Sequence, residues 1–298
     1  MQFTHTESQP FAPIRIVILG ASGVIGRVLT RCLLEKNLPV CAISSADINL
    51  LDPSASRKLA DIFRPTDSVV VLSGLPLKRG RGLAMLMDNA EIGLTIAAAM
   101  AQVSVAHVIY MSSDAVYPRR IEEIHELTET EASDPYAAMH LMRERIFAKL
   151  LPIPVALLRS TQVSASEDTH DAYGPNRFRR TMFAEQRIAL FGKGEEMRDH
   201  ILAQDVAAII YFCLMHRSQG VLNVATGRSL TFADVATIVA SHGKSVTNIE
   251  HLPREVPVTH RRFDTSLCKK MFPDFQSTSL ECGEEEIQKC YRPVTYSG

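Results

Sequence analysis

The sequence lacks an excess of either charge. Its 298 residues include 32 Lys and Arg against 33 Asp and Glu, which gives a formal net charge of -1. Nucleic acids and anionic membranes attract proteins through a basic surface, so this balance argues against a nucleic-acid partner and against a membrane-surface protein. With 46% hydrophobic residues, the chain can nevertheless bury a sizeable core.

Long hydrophobic segments are also missing. The longest apolar run, Val206–Met215, has about half of the roughly 20 residues that a membrane-spanning helix needs. Residues 1–13 are polar and contain no apolar segment typical of a signal peptide. We therefore expect a cytoplasmic protein without a membrane partner.

Signals for metal binding are absent as well. No two cysteines form a C-x-x-C pair, and their spacings match no zinc site. The chain also shows no internal repeat and no low-complexity stretch. We expect reduced thiols and no metal. The cysteines are Cys32, Cys41, Cys213, Cys268, Cys282 and Cys290.

What the sequence does contain is an alternation of short apolar runs and helical patterns. Such runs predict buried strands, and apolar positions three and four residues apart predict helices. The predicted strands are 14–19, 39–44, 68–72, 105–111 and 155–158, and the predicted helices are 26–34, 90–101 and 136–150. This order is typical of an α/β fold with a doubly wound parallel sheet of the Rossmann type.

The pattern changes after about residue 165. Residues 164–180 are polar and turn-rich. Beyond them, helices are predicted at 205–215 and 231–242, and a strand at 221–225. We therefore predict a Rossmann domain over 1–165 and a smaller C-terminal α/β domain over 166–298, with an interleaved boundary.

A glycine-rich turn follows the first predicted strand. In Gly20-Ala-Ser-Gly-Val-Ile-Gly26, the first glycine allows a tight turn and the second lets the backbone approach a pyrophosphate. The third lets the helix pack closely on the sheet, and the N–H groups at the helix start suit phosphate. The predicted dinucleotide-binding residues are Gly20, Ser22, Gly23, Val24, Ile25 and Gly26.

The residues that would contact the cofactor's ribose are less clearly indicated by the sequence. The second predicted strand ends near Ser44, where an NAD enzyme often has an acid and an NADP enzyme a nearby arginine. Asp47 follows and serves either the cofactor or its own turn. Ser73 and Gly74 end the third predicted strand and complete the cofactor-binding candidates. The choice between NAD and NADP stays open.

Two further motifs carry the chemistry. Met111-Ser-Ser-Asp-Ala-Val-Tyr117 follows a predicted strand, and Tyr136-Ala-Ala-Met-His140 opens a predicted helix. With the glycine-rich turn, they resemble the extended short-chain dehydrogenase/reductases, and within these the NAD-dependent nucleotide-sugar epimerase/dehydratase family that includes UDP-galactose 4-epimerases. The resemblance implies NAD as cofactor, a nucleotide sugar as substrate, a homodimer, and Ser113 and Tyr136 as catalytic residues.

One position departs from the family. Removing hydride from a sugar hydroxyl requires a base, and tyrosinate suits this role if positive charge lowers the tyrosine pKa from about 10. The family places a lysine four residues after the tyrosine, whereas this chain has His140, mostly neutral at pH 7 but able to hydrogen-bond a ribose hydroxyl. Either the nicotinamide's own charge activates Tyr136, or the protein is a catalytically silent NAD(P)-binding sensor or scaffold.

The residues after Ser113 bear on the reaction. The 4,6-dehydratases that resemble this chain have Asp-Glu after the serine or threonine, whereas here Asp114 is followed by Ala115. The missing glutamate argues against dehydration and leaves epimerisation or carbonyl reduction. Asp114 serves either as an acid in catalysis or as a capping carboxylate.

The second half contains segments that resemble the family's nucleotide-diphosphate site. They are Gly174-Pro-Asn-Arg-Phe178, Gly192-Lys-Gly-Glu-Glu-Met-Arg-Asp199 and the surroundings of Arg254. The planar fork of arginine matches phosphate oxygens. Gln162 stands where the family often has asparagine, so we expect a reshaped sugar pocket. The substrate-binding candidates are Ser113, Asn176, Arg177, Arg198 and Arg254.

These features together predict an NAD-dependent nucleotide-sugar epimerase. It would oxidise a sugar hydroxyl transiently to a ketone and return the hydride. The alternatives are an NADPH-dependent keto-sugar nucleotide reductase and the silent NAD(P)-binding protein.

Overall fold

The computed structural model describes residues 1–75, 82–166, 168, 173–243 and 247–290. The strands are β1 (Thr4–His5), β2 (Arg15–Leu19), β3 (Val40–Ile43), β4 (Asp67–Val71), β5 (His107–Ser113), β6 (Glu123–Ile124), β7 (Val155–Ser160), β8 (Gln162–Ser164), β9 (Arg187–Phe191), β10 (Met197–Leu202), β11 (Ser218–Val224), β12 (Ser229–Thr231), β13 (Asn248–Leu252) and β14 (Arg262–Phe263). The helices are α1 (Val24–Glu35), α2 (Ala55–Ile62), α3 (Leu83–Gln102), α4 (Pro135–Leu150), α5 (Pro175–Glu185), α6 (Ala203–Met215), α7 (Phe232–Ser241), α8 (Ser266–Met271) and α9 (Leu280–Cys290).

A seven-stranded sheet in the order β1-β11-β7-β5-β4-β2-β3 forms the centre of the fold. All its neighbouring strands are parallel except β1, which is antiparallel to β11. Helices α2, α3 and α4 cover one face, and α1 and α6 cover the other. The predicted α/β fold with a doubly wound parallel sheet is therefore confirmed.

The apolar strands are buried because helices cover both faces of the sheet. Ile16, Ile18 and Val70 pack toward α1 and α6, while the alternate residues Val17 and Val69 pack toward α2, α3 and α4. A strand that is buried on both sides needs apolar residues at every position, and this is why these segments read as continuous apolar runs.

Helix α3 is longer and more apolar than predicted. It spans Leu83–Gln102 and, by length and composition alone, is apolar enough to cross a membrane. Half of its most apolar window is buried inside the fold, and the helix packs against α2 and α4. Packing of this kind is typical of a helix in a protein core.

Among the described residues, three smaller sheets have the orders β12-β10-β8, β13-β9 and β14-β6. Helices α5, α7 and α9 pack against the first two, whereas β14-β6 belongs to a separate small core that contains Tyr117. The stretch 164–180 was predicted as polar and turn-rich, but it contains the first turns of α5, whose Phe178 and Met182 are buried in a separate core. Since α6 and β11 return to the main sheet, the division at residue 165 stays a prediction.

The carboxyl ends of β2, β4, β5 and β7 meet at one edge of the sheet. Their following residues border a cavity of about 1270 Å³. Ligands of doubly wound sheets bind beyond this edge. The C-terminal region closes the far side of the cavity through residues of β10 and the segment 253–261.

Candidate active site

The glycine-rich turn forms one wall of the cavity. Gly20 has a positive φ of 90°, and a Cβ there would lie 2.7 Å from the backbone nitrogen of Ser73. A Cβ on Gly26 would lie 2.8 Å from the Cα of Ala21. Side chains are therefore excluded at both positions, and the first turn of α1 presents backbone N–H groups without a side-chain cap. All six predicted residues of this turn line the cavity.

The two candidates after β3 lie elsewhere. The carboxylate of Asp47 accepts hydrogen bonds from the backbone nitrogen of Ser44 at 2.8 Å and from its hydroxyl at 2.7 Å. These bonds hold the pKa of Asp47 below its usual value. Asp47 thus stabilises its own turn, and neither residue is among those that line the cavity, whereas Ser73 and Gly74 do line it.

Ser113 and Tyr136 enter the cavity from neighbouring elements. Ser113 ends β5, and its hydroxyl accepts a hydrogen bond from the backbone nitrogen of Ala115 at 3.2 Å. Asp134 caps α4 by accepting from the backbone nitrogen of Ala137 at 2.8 Å, which places Tyr136 in the first turn. The two predicted catalytic residues therefore line the same cavity as the glycine-rich turn.

His140 is a buried and neutral histidine. Its Nδ1 lies 2.8 Å from the hydroxyl of Tyr110, and its ring contacts the ring of Tyr136 edge-on at 4.7 Å between centroids. Burial, with a further contribution from Arg143, lowers the pKa of His140 to about 3. Its Nε2 is buried and has no partner among the described residues. A ring nitrogen in this state fits a hydrogen bond to a ligand.

Asp114 is held by an arginine that sequence reasoning missed. The guanidinium of Arg261 lies 3.1 Å from the Asp114 carboxylate, and it also donates to the backbone oxygens of Asp114 and Tyr117 at 2.5 and 2.8 Å. Arg261 joins the C-terminal region to the end of β5. Arg261 and Arg262 are adjacent in sequence, so only the fold shows which of them enters the site.

A buried ion pair supports the floor of the site. Arg159 on β7 binds Glu144 on α4 at 2.8 Å, and the Ser112 hydroxyl donates to Glu144 at 2.6 Å. Arg159 also donates to the hydroxyl of Tyr117 at 3.1 Å. The network ties β5, β7 and α4 together at Ser112, the residue before Ser113.

The side of the cavity that the C-terminal region forms contains two of the predicted arginines with a carboxylate between them. Glu196 lies 3.1 Å from Arg198 and 3.4 Å from Arg254. Although burial opposes its charge, Arg198 and hydrogen bonds from Thr259 hold the pKa of Glu196 below its usual value. Arg254 also pairs with the exposed Glu195 at 3.0 Å. Both arginines are therefore already engaged by carboxylates.

The other two predicted substrate-binding residues, Asn176 and Arg177, differ in their location. Asn176 lines the cavity, but its side chain accepts from the backbone nitrogen of Ala165 at 3.0 Å and donates to the backbone oxygen of Val163 at 2.8 Å. Arg177 is exposed on α5 and is not among the lining residues. The structure thus places Asn176, but not Arg177, at the cavity.

Gln162 and His200 have buried polar atoms without partners among the described residues: the Gln162 side-chain oxygen and both ring nitrogens of His200. Gln162 lines the cavity, whereas His200 is not among the lining residues. Burial lowers the pKa of His200 to about 3. Both lie against Gly174, whose Cβ would contact each of them within 3.4 Å.

These buried histidines predict acid sensitivity. Burial lowers the pKa of His107 to about 4 and the pKa values of His140 and His200 to about 3. In an unfolded chain, the pKa of a histidine is about 6.5. The unfolded state therefore binds more protons below pH 6.5, so the free energy of unfolding falls as the pH is lowered from 6.5 toward 3. In urea titrations at pH 7 and pH 5, we expect His200→Phe to reduce this loss. An unchanged loss would exclude His200 as a contributor.

No group of three or more His, Cys, Asp or Glu side chains in the described ranges is placed to hold a metal ion. Five of the cysteines, Cys32, Cys41, Cys213, Cys268 and Cys282, have free thiols. Cys290 ends α9, and its side chain lies outside the described part of the chain.

Comparison with known proteins identifies the family. The family model for the NAD dependent epimerase/dehydratase family matches residues 16–225, which span the glycine-rich turn, Ser113, Tyr136 and Arg198. The chain belongs to this family. The predicted resemblance is confirmed, and so is the prediction of an NAD-dependent enzyme of the extended short-chain dehydrogenase/reductase type.

Relatives in this epimerase/dehydratase family are distant. A GDP-L-fucose synthase from Azorhizobium caulinodans is 21% identical over 250 residues, 76% of this chain and 80% of that protein. Among solved structures, the UDP-glucose 4-epimerase from Thermus thermophilus in complex with NAD is 18% identical with a TM-score of 0.79, covering 91% of this chain and 97% of that one. A GDP-L-fucose synthetase from Naegleria fowleri is 16% identical with a TM-score of 0.83, covering 96% of each chain.

The residues present fit the NAD that this family uses. The turn from Gly20 to Gly26 has no room for side chains at its two end glycines, and the neighbouring helix start offers N–H donors to a pyrophosphate. The unpartnered Nε2 of His140 suits a ribose hydroxyl. The structure also adds Arg143, Arg261 and Glu196 to the cavity lining, and none of them was a sequence candidate.

Proposed function

We propose that the protein is an NAD-dependent nucleotide-sugar epimerase. One observation carries the proposal: a single cavity collects the glycine-rich turn, Ser113, Tyr136 and the two arginines Arg198 and Arg254. A sugar nucleotide that spans this cavity would place its diphosphate at the arginines and its sugar at the tyrosine. A cytoplasmic location and a homodimer remain predictions.

The chain's own residues would divide the work as follows. Tyr136 takes the proton of a sugar hydroxyl, and Ser113 donates a hydrogen bond to the same oxygen. NAD, when bound at the glycine-rich turn, would supply the hydride acceptor for the oxidation and the hydride donor for its reversal. Gln162 lines the cavity, where its unpartnered side-chain oxygen would accept a hydrogen bond from a hydroxyl or amide group of the sugar. Because Arg261 holds the Asp114 carboxylate in place, Asp114 would form a fixed part of the wall of the sugar pocket.

A second candidate, keto-sugar nucleotide reduction with NADPH, is favoured by one observation. The end of β3 directs no acidic side chain into the cavity, and Arg27, next to the glycine-rich turn, does line it. An arginine at this place suits the extra phosphate of NADP. Dinucleotide binding without turnover would instead support the silent sensor or scaffold.

The decisive experiment identifies what the purified protein retains and consumes. We expect mass spectrometry of the denatured protein to release NAD, and we expect epimer formation from one member of a panel of UDP-, GDP-, dTDP- and CDP-sugars without net use of cofactor. Stoichiometric loss of NADPH absorbance with a keto sugar would replace the proposal by the reductase. Dinucleotide binding with no turnover across the panel would reject both enzymes.

The carboxylate between the arginines gives a further prediction. Glu196→Gln removes the charge that competes with a phosphate for Arg198 and Arg254, and half-buried ion pairs of this kind are worth about 1 kcal/mol. We therefore expect a nucleoside diphosphate such as UDP to bind about five- to tenfold more tightly. Isothermal titration calorimetry measures this directly.

The matched control for this prediction is Glu195→Gln. Glu195 is an exposed neighbour that pairs only with Arg254 among the described residues, so its replacement should change diphosphate affinity by less than about twofold. Weaker binding by Glu196→Gln would mean that the carboxylate orients the arginines and does not compete with the ligand.

A further inference from the structure

Arg143 on α4 is a buried arginine without a carboxylate. It is 1% exposed, its Nη2 donates to the backbone oxygen of Ser73 at 2.8 Å, and its Nε is buried without a partner. The other buried arginines, Arg159, Arg179 and Arg261, each pair with Glu or Asp, whereas no acidic side chain of the described residues pairs with Arg143. A buried charge without a counter-charge is costly, so its position calls for a function.

The location of Arg143 indicates a function next to Tyr136. Residues 136, 140 and 143 follow each other at helical spacings of four and three, so Tyr136, His140 and Arg143 share one face of α4. All three line the cavity. The Arg143 guanidinium lies over the ring of Tyr110 at 5.0 Å, and the Tyr110 hydroxyl binds His140, whose ring contacts Tyr136.

Tyr110 determines which nitrogen of His140 carries the proton. Burial raises the pKa of Tyr110 well above its usual value, so the phenol keeps its proton. Among the described residues, Nδ1 of His140 is the hydrogen-bond partner of this hydroxyl, and the phenol proton is satisfied when it is donated to that nitrogen. A neutral imidazole has one N–H, which must then be on Nε2. His140 therefore presents a hydrogen-bond donor to the cavity but no charge.

We propose that Arg143 and His140 share the two tasks of the lysine that the family places at position 140: Arg143 supplies the permanent positive charge behind Tyr136, and His140 supplies the hydrogen bond to the cofactor's ribose. This inference rests on the proposed role of Tyr136. Arg143 acts through Tyr136 and is not itself in contact with the substrate.

Within the described part of the chain, three ion pairs lie on the elements that flank Tyr136. Asp114 pairs with Arg261, and Glu144 pairs with Arg159. The partly exposed Asp134 at the start of α4 pairs with Arg119. Each pair largely cancels its own field, so Arg143 is the net positive charge that this cluster provides to the tyrosine.

The test is an absorbance titration of tyrosine in the protein without cofactor or substrate. The sequence contains no tryptophan and seven tyrosines, so tyrosinate absorbance is read without overlap. The difference between wild type and Tyr136→Phe isolates Tyr136. We expect it to ionise below the usual pKa of about 10, and we expect Arg143→Met to raise its pKa by about one to three units, because removing a nearby cation destabilises tyrosinate.

Two variants distinguish the loss of the positive charge at Arg143 from disruption of the fold. Arg143→Lys keeps the charge and should keep the titration of Tyr136 near that of wild type. Arg143→Met combined with His140→Lys returns a cation to the family position and should restore the lowered pKa. If circular dichroism shows that Arg143→Met does not fold, Arg143→Gln replaces it. Ionisation of Tyr136 at its usual pKa of about 10 in wild type overturns the inference without any Arg143 variant.

Calorimetric titration with NAD completes the test. We expect His140→Phe to weaken NAD binding several-fold and to leave the titration of Tyr136 in place. If Arg143→Met weakens NAD binding but does not move the titration of Tyr136, the arginine serves the cofactor's phosphates and the inference is wrong. Neither measurement uses a sugar nucleotide, so failure of the whole substrate panel would reject the epimerase and leave this result standing.

Discussion

Tyr136→Phe is expected to lower the turnover of the sugar nucleotide by about 10²–10⁴-fold, the usual contribution of a positioned general base. The phenol is in the first turn of α4, where the Asp134 cap and the edge-on contact with His140 fix its position. Phenylalanine keeps the ring and this contact but removes the oxygen that accepts the proton. The change should therefore appear in kcat, with KM altered only a few-fold.

Tyr211→Phe is the matched control for this prediction. Tyr211 lies on α6, where the Lys36 ammonium is 4.6 Å from its ring centre, and it does not line the cavity. It should keep full turnover. A Tyr136→Phe protein with more than about a tenth of wild-type kcat would exclude Tyr136 as the base.

Glu284→Ala is expected to lower the free energy of unfolding by about 3–5 kcal/mol. Glu284 on α9 is fully buried and forms an ion pair with Arg179 on α5, which is 1% exposed. Arg179 donates from Nε at 3.0 Å, and the Ser164 hydroxyl donates to the same carboxylate at 3.1 Å. Alanine would leave the Arg179 charge in the interior without this carboxylate. Urea unfolding followed by circular dichroism measures the loss.

The next residue along the chain provides the control. Glu285 pairs with Lys289 at 2.8 Å on the exposed face of α9, so Glu285→Ala should cost less than about 1 kcal/mol. Replacing both buried partners, with Arg179→Met and Glu284→Met together, should recover much of the loss, because neither charge of the pair then remains buried. Equal destabilisation by Glu284→Ala and Glu285→Ala would contradict this account.

The strands and cofactor turn were predictable because their signals are local. A parallel strand covered on both faces needs successive apolar residues, and the turn from Gly20 to Gly26 needs glycines for steric reasons that act within a few residues. Helix α5 was missed for the opposite reason. Its buried Arg179 forms an ion pair with Glu284, 105 positions later, and no local pattern contains that information.

The site was predictable in its motifs but not in its charges. Ser113, Tyr136 and Asn176 were each predicted from a short local motif, and all three line the cavity. The neutral state of His140 depends on its burial beside Tyr110, 30 positions earlier, and the pairing of Glu196 depends on Arg254 as well as on the nearby Arg198. Sequence reasoning identified which side chains are present, and the fold determined which of them carry a free charge.

The carboxylate of Glu196 also affects which small anions the protein attracts. Inorganic phosphate and sulfate would readily occupy two bare arginines. A carboxylate that is covalently tethered to the site has a high effective concentration, so a small free anion that offers only charge gains little by displacing it. A ligand that also contacts the rest of the cavity can displace it. Glu196 would thus keep small free anions off the two arginines and leave them available to a large ligand.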